Sequence, residues 1–285
     1  MTYTLKRCLD DLIVERLKPN GSDTARAQFA ADRLIEFFGA QTDVGTLSRK
    51  GFRDYRAKRL RAGVNDSTIR RELGVIKAAL NFAAEEEKIT SVPVVKLPPE
   101  TPARERWFSE EEVERLMSQP MSEPMRLALY LALGTGARRG AIADLTVGRV
   151  DLAGGFIDFR NPKRPVSRKR RVKTKIADWL RPKLVEACKG RKADDLVVGL
   201  PPYEISRRMK AMLEAIGIDE KGISLHAMRR TFVTWALLNG AKPAEVSAAT
   251  GDRIETLERS YLKLFAQHAA GAVNAVNPKG MNNAE

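Results

Sequence analysis

The sequence predicts a mainly α-helical protein in two parts, with one small antiparallel β-sheet in the second. Apolar residues recur at helical spacing through residues 1–90, and a proline-rich stretch without periodicity fills 91–108. Helical patterns then resume from Ser109 and are interrupted only by a short alternating run, Phe156-Ile157-Asp158-Phe159. A chain of 285 residues is long for one compact core and fits two domains.

In the first part, Leu5, Leu9, Leu12 and Ile13 define one helix, which stops at Pro19-Asn20-Gly21. Ser22 or Asp23 is placed to cap a second, carrying Phe29, Leu34, Phe37 and Phe38 as its apolar face and ended by Gly39. A third runs from about Ser48 to Arg61 around a Phe52/Tyr55 stripe and is studded with Arg53, Arg56, Lys58 and Arg59. Asp66 is read as the cap of a fourth, with Ile69, Leu73, Ile76 and Leu80 on its buried face and Arg70, Lys77 and Asn81 beside it. Those cations suit either solvated helix faces or phosphate and base contacts, and on the second reading Arg53, Arg56, Arg59, Arg70 and Lys77 are the candidate DNA-binding residues. Between 91 and 108, Pro93, Pro98, Pro99 and Pro102 remove backbone donors and favour extended chain, which reads as a linker.

The second part, 109–285, opens with Ser109-Glu110-Glu111-Glu112, a capping box. Met125 to Leu133 is apolar on nearly all sides and therefore a buried helix. It runs into Gly134-Thr135-Gly136-Ala137-Arg138, where glycine permits a tight turn that carries an arginine out of the core. Another short helix ends near Leu145. The strand at Phe156 has its expected return at Arg170-Arg171-Val172-Lys173, with the cationic tip Asn161-Pro162-Lys163-Arg164-Pro165 between them. Helices follow to the end.

A formal charge of +14 and a pI near 9.9 point to a polyanionic partner, and double-stranded DNA is the partner expected. Cys8 and Cys188 have no metal-ligand spacing and read as thiols of a reducing compartment. The first residues carry Lys6, Arg7, Asp10 and Asp11, unlike a signal peptide, and the run Leu127 to Leu133 is too short to span a bilayer. A cytoplasmic location, with no membrane partner, is the expectation. Neither a Walker-type loop nor a carboxylate cluster for Mg²⁺ occurs, so neither metal nor other cofactor is expected.

The chemistry-bearing stretch runs from Leu225 to Tyr261. His226, one of two histidines, and Arg229 stand three apart and share a helix face. After Thr250-Gly251-Asp252 comes a short amphipathic segment ending at Tyr261. An arginine, an imidazole and a phenol together suit attack by a tyrosine on a phosphodiester.

These residues resemble the tyrosine recombinase (phage integrase) family over nearly the whole chain. Thr135-Gly136-Ala137-Arg138 is similar to its first arginine box, Leu225-His226-Ala227-Met228-Arg229 to the second, and Tyr261-Leu262-Lys263 to its nucleophile segment. Lys163 falls where the family places a catalytic lysine on a β-hairpin, with Lys169 the alternative. Residues 1–90, with Ser67-Thr68-Ile69-Arg70-Arg71 opening the last long helix, resemble its helical core-binding domain, which makes 109–285 the catalytic domain. The tail Leu264–Val273 is apolar enough to need a partner surface, either its own domain or a neighbouring protomer; the resemblance implies the second, in a homotetramer, and a clamp around DNA. Because the implied core-binding domain starts almost at Met1, no arm-binding domain is expected ahead of it. Two positions depart from the family pattern. Ala141 stands where an acidic residue is usual, and Asp252 where histidine or tryptophan is usual. A carboxylate at 252 either faces the phosphate, or pairs with Arg253, or turns away, and a slower or more regulated enzyme is expected.

On this reading Arg138 and Arg229 hold the nonbridging phosphate oxygens, and His226 takes or relays the Tyr261 proton. Lys163 (or Lys169) protonates the leaving 5′ oxygen, Asp252 lies at the same site, and the product is a 3′-phosphotyrosyl bond. The implied function is site-specific recombination that integrates or excises a mobile element. The second reading is a DNA-binding regulator or accessory factor of the same fold that has lost catalysis. A type IB topoisomerase-like enzyme is the nearest enzymatic rival.

Overall fold

The computed structural model describes residues 2–20, 24–100, 106–163, 170–218 and 223–258, and the chain divides into two compact units, Met1–Ala103 and Arg104–Glu285. The first contains α1 (Leu5–Asp11), α2 (Thr24–Phe38), α3 (Arg49–Arg61) and α4 (Asp66–Glu85). α1 begins where Thr4 accepts a hydrogen bond from the Arg7 amide, and it passes into a wider π-type turn over Leu12–Leu17. α4 packs against both α1 and α2, with Ile69, Ile76 and Leu80 wholly inaccessible.

Two local expectations are corrected. The cap of α4 is Asn65, whose side chain accepts from the Thr68 amide at 3.0 Å, and Asp66 is instead the first helical residue. Phe29 lies off the buried stripe of α2, which consists of Ala27, Ala30, Ala31 and Leu34. Phe29 is 53% exposed and lies beneath the Arg33 guanidinium. Small residues let α2 approach its neighbours closely, which leaves no room for a phenyl ring on that face. Between α3 and α4, Glu72 is buried at 2% exposure, accepting from the Tyr55 hydroxyl (2.7 Å) and from two nitrogens of Arg59 (2.6 and 3.0 Å). Arg59 is thereby held inside the unit. A buried carboxylate must be paired, and this pairing also pushes the Tyr55 phenol up, through burial first and then through the Glu72 hydrogen bond.

In the second unit α5 (Glu110–Met117) opens with the capping box, Ser109 accepting from the Glu112 amide while Glu112 accepts from the Ser109 amide. α6 (Glu123–Thr135) forms the centre of the core and packs along α10 (Leu225–Leu238). α7 (Arg139–Ala143) leads to an antiparallel sheet of β1 (Val150–Asp151), β2 (Phe156–Asp158) and β3 (Lys173–Lys175), with Ile157 paired to both Val150 and Thr174. The return strand therefore starts at Lys173, later than the Arg170 expected. The preceding residues still follow the hairpin, since the Phe159 amide donates to the Val172 carbonyl at 3.0 Å. α8 (Arg181–Cys188), α9 (Pro202–Ala215) and α11 (Pro243–Thr250) complete the unit, with α11 against β3. Among the described residues no helix is long and apolar enough to cross a membrane.

The turn after α6 depends on Gly136. Its φ of 61° is left-handed, and a Cβ there would lie 2.6 Å from Cδ1 of Phe232. Gly136→Ala is expected to lose roughly 1–2 kcal/mol from backbone strain alone, with further loss from the ring contact. Urea unfolding measures this, and an unchanged midpoint would contradict it.

Candidate active site

Several chain segments of the second unit meet at one point. The left-handed turn at Gly136 ends α6 and sets Arg138 immediately before α7. Arg229 lies one turn into α10, whose start is capped by Ser224 accepting from the His226 amide at 3.3 Å. Gly251, also left-handed at φ 74°, ends α11 and turns the chain into Asp252. A Cβ at 251 would come within 3.0 Å of the Arg170 carbonyl, so glycine lets the hairpin return pass against this loop.

The three side chains form one ion cluster. Asp252 accepts from Arg138 through Oδ1 at 2.6 Å and from Arg229 through Oδ2 at 2.5 Å. Its partners are thus the two arginines of the boxes rather than Arg253. Arg229 is buried, its side chain 4% exposed, and it also donates to the carbonyls of Gly136 (2.5 Å) and Thr250 (3.0 Å). Arg138 is more open and donates to the Arg170 carbonyl at 2.8 Å. The loop holding Asp252 is itself fixed: its amide donates to Thr250 Oγ1, and its carbonyl accepts from Ser247 Oγ at 2.7 Å.

Electrostatics explains why a carboxylate sits there. Burial, followed by the nearby Arg229, lowers the proton affinity of Arg138, and Asp252 opposes both effects. Guanidiniums do not discharge in proteins, so the site requires an anion. Beside the cluster lies a cleft of about 200 Å³ whose walls include Arg138, Arg170, Arg171 and Arg229.

His226 lies one turn before Arg229 with its side chain exposed. The surrounding protein, and then the fields of Arg230, Arg229 and Arg138, hold its imidazole below the ordinary histidine range, while Asp252 acts weakly in the other direction. It is therefore neutral at pH 7. Lys163 does not join the cluster: its ammonium is at the surface, 3.6 Å from Asp194, and both side chains are more than four-fifths exposed. Tyr261, Lys169 and the tail 264–273 lie outside the described residues. The segment leading to Tyr261 is helical over 254–258 and is anchored by Leu257, packed with Val233 and Val246.

Of the candidate DNA-binding residues, Arg53 and Lys77 are exposed. Arg56 is held by both oxygens of Asp66 at 2.7 Å, Arg59 by Glu72, and Arg70 by the Pro98 carbonyl and Glu100. Ala141 is packed into the core, and the carboxylate of this region is Asp144, one helical turn on. Sequence reasoning placed Arg170 and Arg171 on a strand but did not bring them to the cleft, and it passed over Asp144. A lone aspartate near the end of a short apolar helix is a weak signal for it. Among the described residues, no group of three or more His, Cys, Asp or Glu side chains is gathered to hold a metal.

Residues 106–268 match the model of the phage integrase family. Tyrosine recombinase XerD of Lacticaseibacillus casei is 24% identical over 235 residues, covering 75% of this chain and 78% of that protein. The integrase of Salmonella phage P22 is 25% identical over 211 residues, 69% of this chain and 54% of that protein. In three dimensions the chain resembles the Tn1549 transposon integrase in complex with transposon right end DNA, with a TM-score of 0.72, 14% identity and 94% and 99% of the two chains covered. It also resembles a lambda integrase tetramer bound to a Holliday junction, with a TM-score of 0.70, 16% identity and 88% and 78% covered. The mainly helical fold with its small antiparallel sheet is that of these solved structures, and the family match spans more than half of the sequence. The chain belongs to the phage integrase family, the site-specific tyrosine recombinases.

Proposed function

We propose that this recombinase breaks and rejoins DNA through Tyr261, and that Arg138 and Arg229 hold the scissile phosphate in the place where Asp252 now holds them. The observation that carries this is the convergence of both guanidiniums on one two-oxygen anion. A phosphodiester offers two nonbridging oxygens with the same forked demand for donors.

In the reaction, the Tyr261 oxygen forms a bond to phosphorus while its proton passes to the neutral imidazole of His226. Negative charge grows on the nonbridging oxygens, and Arg138 and Arg229 stabilise it. The bond from phosphorus to O5′ breaks, and O5′ takes a proton from a hairpin lysine, Lys163 or Lys169. The 3′-phosphotyrosyl bond retains the phosphodiester energy, so the reverse attack by a 5′ hydroxyl seals a new strand without ATP. Residues 1–90 act as the core-binding domain. Arg53 and Lys77 are available to phosphate, and Arg56 and Arg70 join them when DNA competes with Asp66 and Glu100. Arg59, tied to buried Glu72, serves the fold first. The biological setting is integration or excision of a mobile element by a homotetramer on DNA joined through the tail; its apolar sequence and the lambda integrase tetramer support that reading.

Tyr261→Phe is expected to bind DNA with unchanged affinity and to form no covalent adduct on a suicide substrate, because only the nucleophilic oxygen is gone. An adduct formed by this variant would rule out the nucleophile.

Asp252→Asn removes the counter-ion of two guanidiniums. Hydrogen bonds to charged groups are worth roughly 1.5–3 kcal/mol, so the free protein is expected to melt several degrees lower. Sulfate is expected to recover most of that loss while barely moving the wild type. Equal sulfate effects on both proteins would mean that the arginines do not form an anion site.

The lowered affinity of His226 for a proton gives a sign for pH. Its charged form is disfavoured in the fold, so the imidazole remains neutral as pH falls through its ordinary value of about 6.5. The cleavage rate at subsaturating protein, which reports the free enzyme, is expected to hold level from pH 8 to that value and to fall only below it. A loss of rate centred above about 6.5 would contradict the role of His226 as proton acceptor.

A further inference from the structure

Asp144 lies 13% exposed at the end of α7, outside the Arg138–Asp252–Arg229 cluster, and it touches both sides of the lysine hairpin. On the return side, both of its oxygens accept from Arg171 Nη1, at 2.7 and 2.9 Å. On the outgoing side, Oδ2 accepts from Asn161 Nδ2 at 3.3 Å. Arg149 closes the group, with Nη2 at 3.6 Å from Asp144 and Nη1 donating to the Arg160 carbonyl at 3.3 Å.

Two neighbours give this arrangement a direction. Asn161 uses its other side-chain atom, Oδ1, to accept from the Lys163 amide at 2.9 Å, so the group bonded to Asp144 also sets the backbone of the lysine. Arg170, next to Arg171, gives its carbonyl to Arg138. One carboxylate therefore fixes where the hairpin leaves β2, where it returns, and how the lysine backbone at its tip is turned. β2 pairs with β1 over only two residue pairs and with β3 over three, which is short for strands.

We infer that Asp144, acting through Asn161 and Arg171, is the positioning residue of the lysine hairpin, holding it so that a lysine ammonium is aimed at the leaving O5′ when DNA is bound. This rests on the reading of a hairpin lysine as the proton donor. Asp144 itself touches no reacting atom, so its removal should harm only the proton-transfer part of cleavage.

A chemical bypass separates that role from simple support of the fold. When the bond broken is from phosphorus to oxygen, the departing O5′ needs the lysine proton. When sulfur replaces that bridging oxygen, a thiolate leaves unprotonated and the donor is dispensable. Single-turnover cleavage of two suicide substrates, one with oxygen and one with 5′-bridging sulfur, is measured for the full-length wild type and for Asp144→Asn, Asn161→Ala, Lys163→Ala and Lys169→Ala. General acid catalysis is worth roughly 10²–10⁴-fold, so Asp144→Asn is expected to slow the oxygen substrate about 10-fold or more. It should cleave the sulfur substrate within about twofold of wild type, with unchanged DNA affinity. Asn161→Ala, a milder change that leaves the Asp144–Arg171 pair intact, is expected to show the same pattern and covers the case in which Asp144→Asn folds poorly.

Equal slowing on both substrates by Asp144→Asn and Asn161→Ala, or no slowing on either, overturns the positioning role. If one lysine variant is rescued by sulfur while these two are not, the donor reading stands and this inference alone fails. If neither lysine variant is rescued, the donor reading falls and takes the inference with it.

Discussion

The second unit is arranged around a shared anion: two arginines from distant parts of the chain, Arg138 and Arg229, each hold one oxygen of Asp252. Neither guanidinium can give up its charge, and Arg229 is almost wholly removed from water. Two such cations placed together require a negative partner of the right size and with two acceptor oxygens. In the free protein Asp252 meets that requirement. On the mechanism proposed here the scissile phosphate is the group with the same geometry, and the two exchange during cleavage.

Much of the local architecture follows from this constraint. Arg229 is held by the carbonyl that follows α6 and by the one that ends α11, so it joins three helices as well as carrying charge. Arg138 is braced by the Arg170 carbonyl, which ties the cluster to the hairpin. The left-handed glycines at 136 and 251 stand where these carbonyls and loops must pass one another closely. A site built this way is preorganised before DNA arrives, which is what stabilising charge at a phosphorus centre demands. On the proposed mechanism its cost is a resident carboxylate that competes with the substrate phosphate.

The sequence made some of this plain because the controlling physics was local. The apolar face of α4, the all-round apolar character of α6, the Ser109 capping box and the glycine turn into Arg138 depend on residues within a turn or two of each other. The kinship of Arg138 and Arg229 came from the two boxes that carry them. The partners of Asp252 were hidden, because they lie 114 and 23 positions away while Arg253 is adjacent. The Glu72–Arg59 pair was hidden in the same way: on the sequence Arg59 is one more cation on a basic helix, and only the packing of α3 on α4 makes it structural. β1 has two residues and no period to detect, and the start of β3 was misjudged because one valine among cations gives no clear alternation.

The exchange of carboxylate for phosphate is the centre of this account, and a vanadate-trapped complex observes it directly. The protein, a nicked attachment-site duplex and vanadate are crystallised together, with vanadium standing in for phosphorus at the transition state. The account predicts vanadium bonded to the Tyr261 oxygen, its equatorial oxygens within hydrogen-bond distance of Arg138 and Arg229, and Asp252 released from both. Vanadium bound elsewhere, with Asp252 still bridging the two guanidiniums, would contradict it.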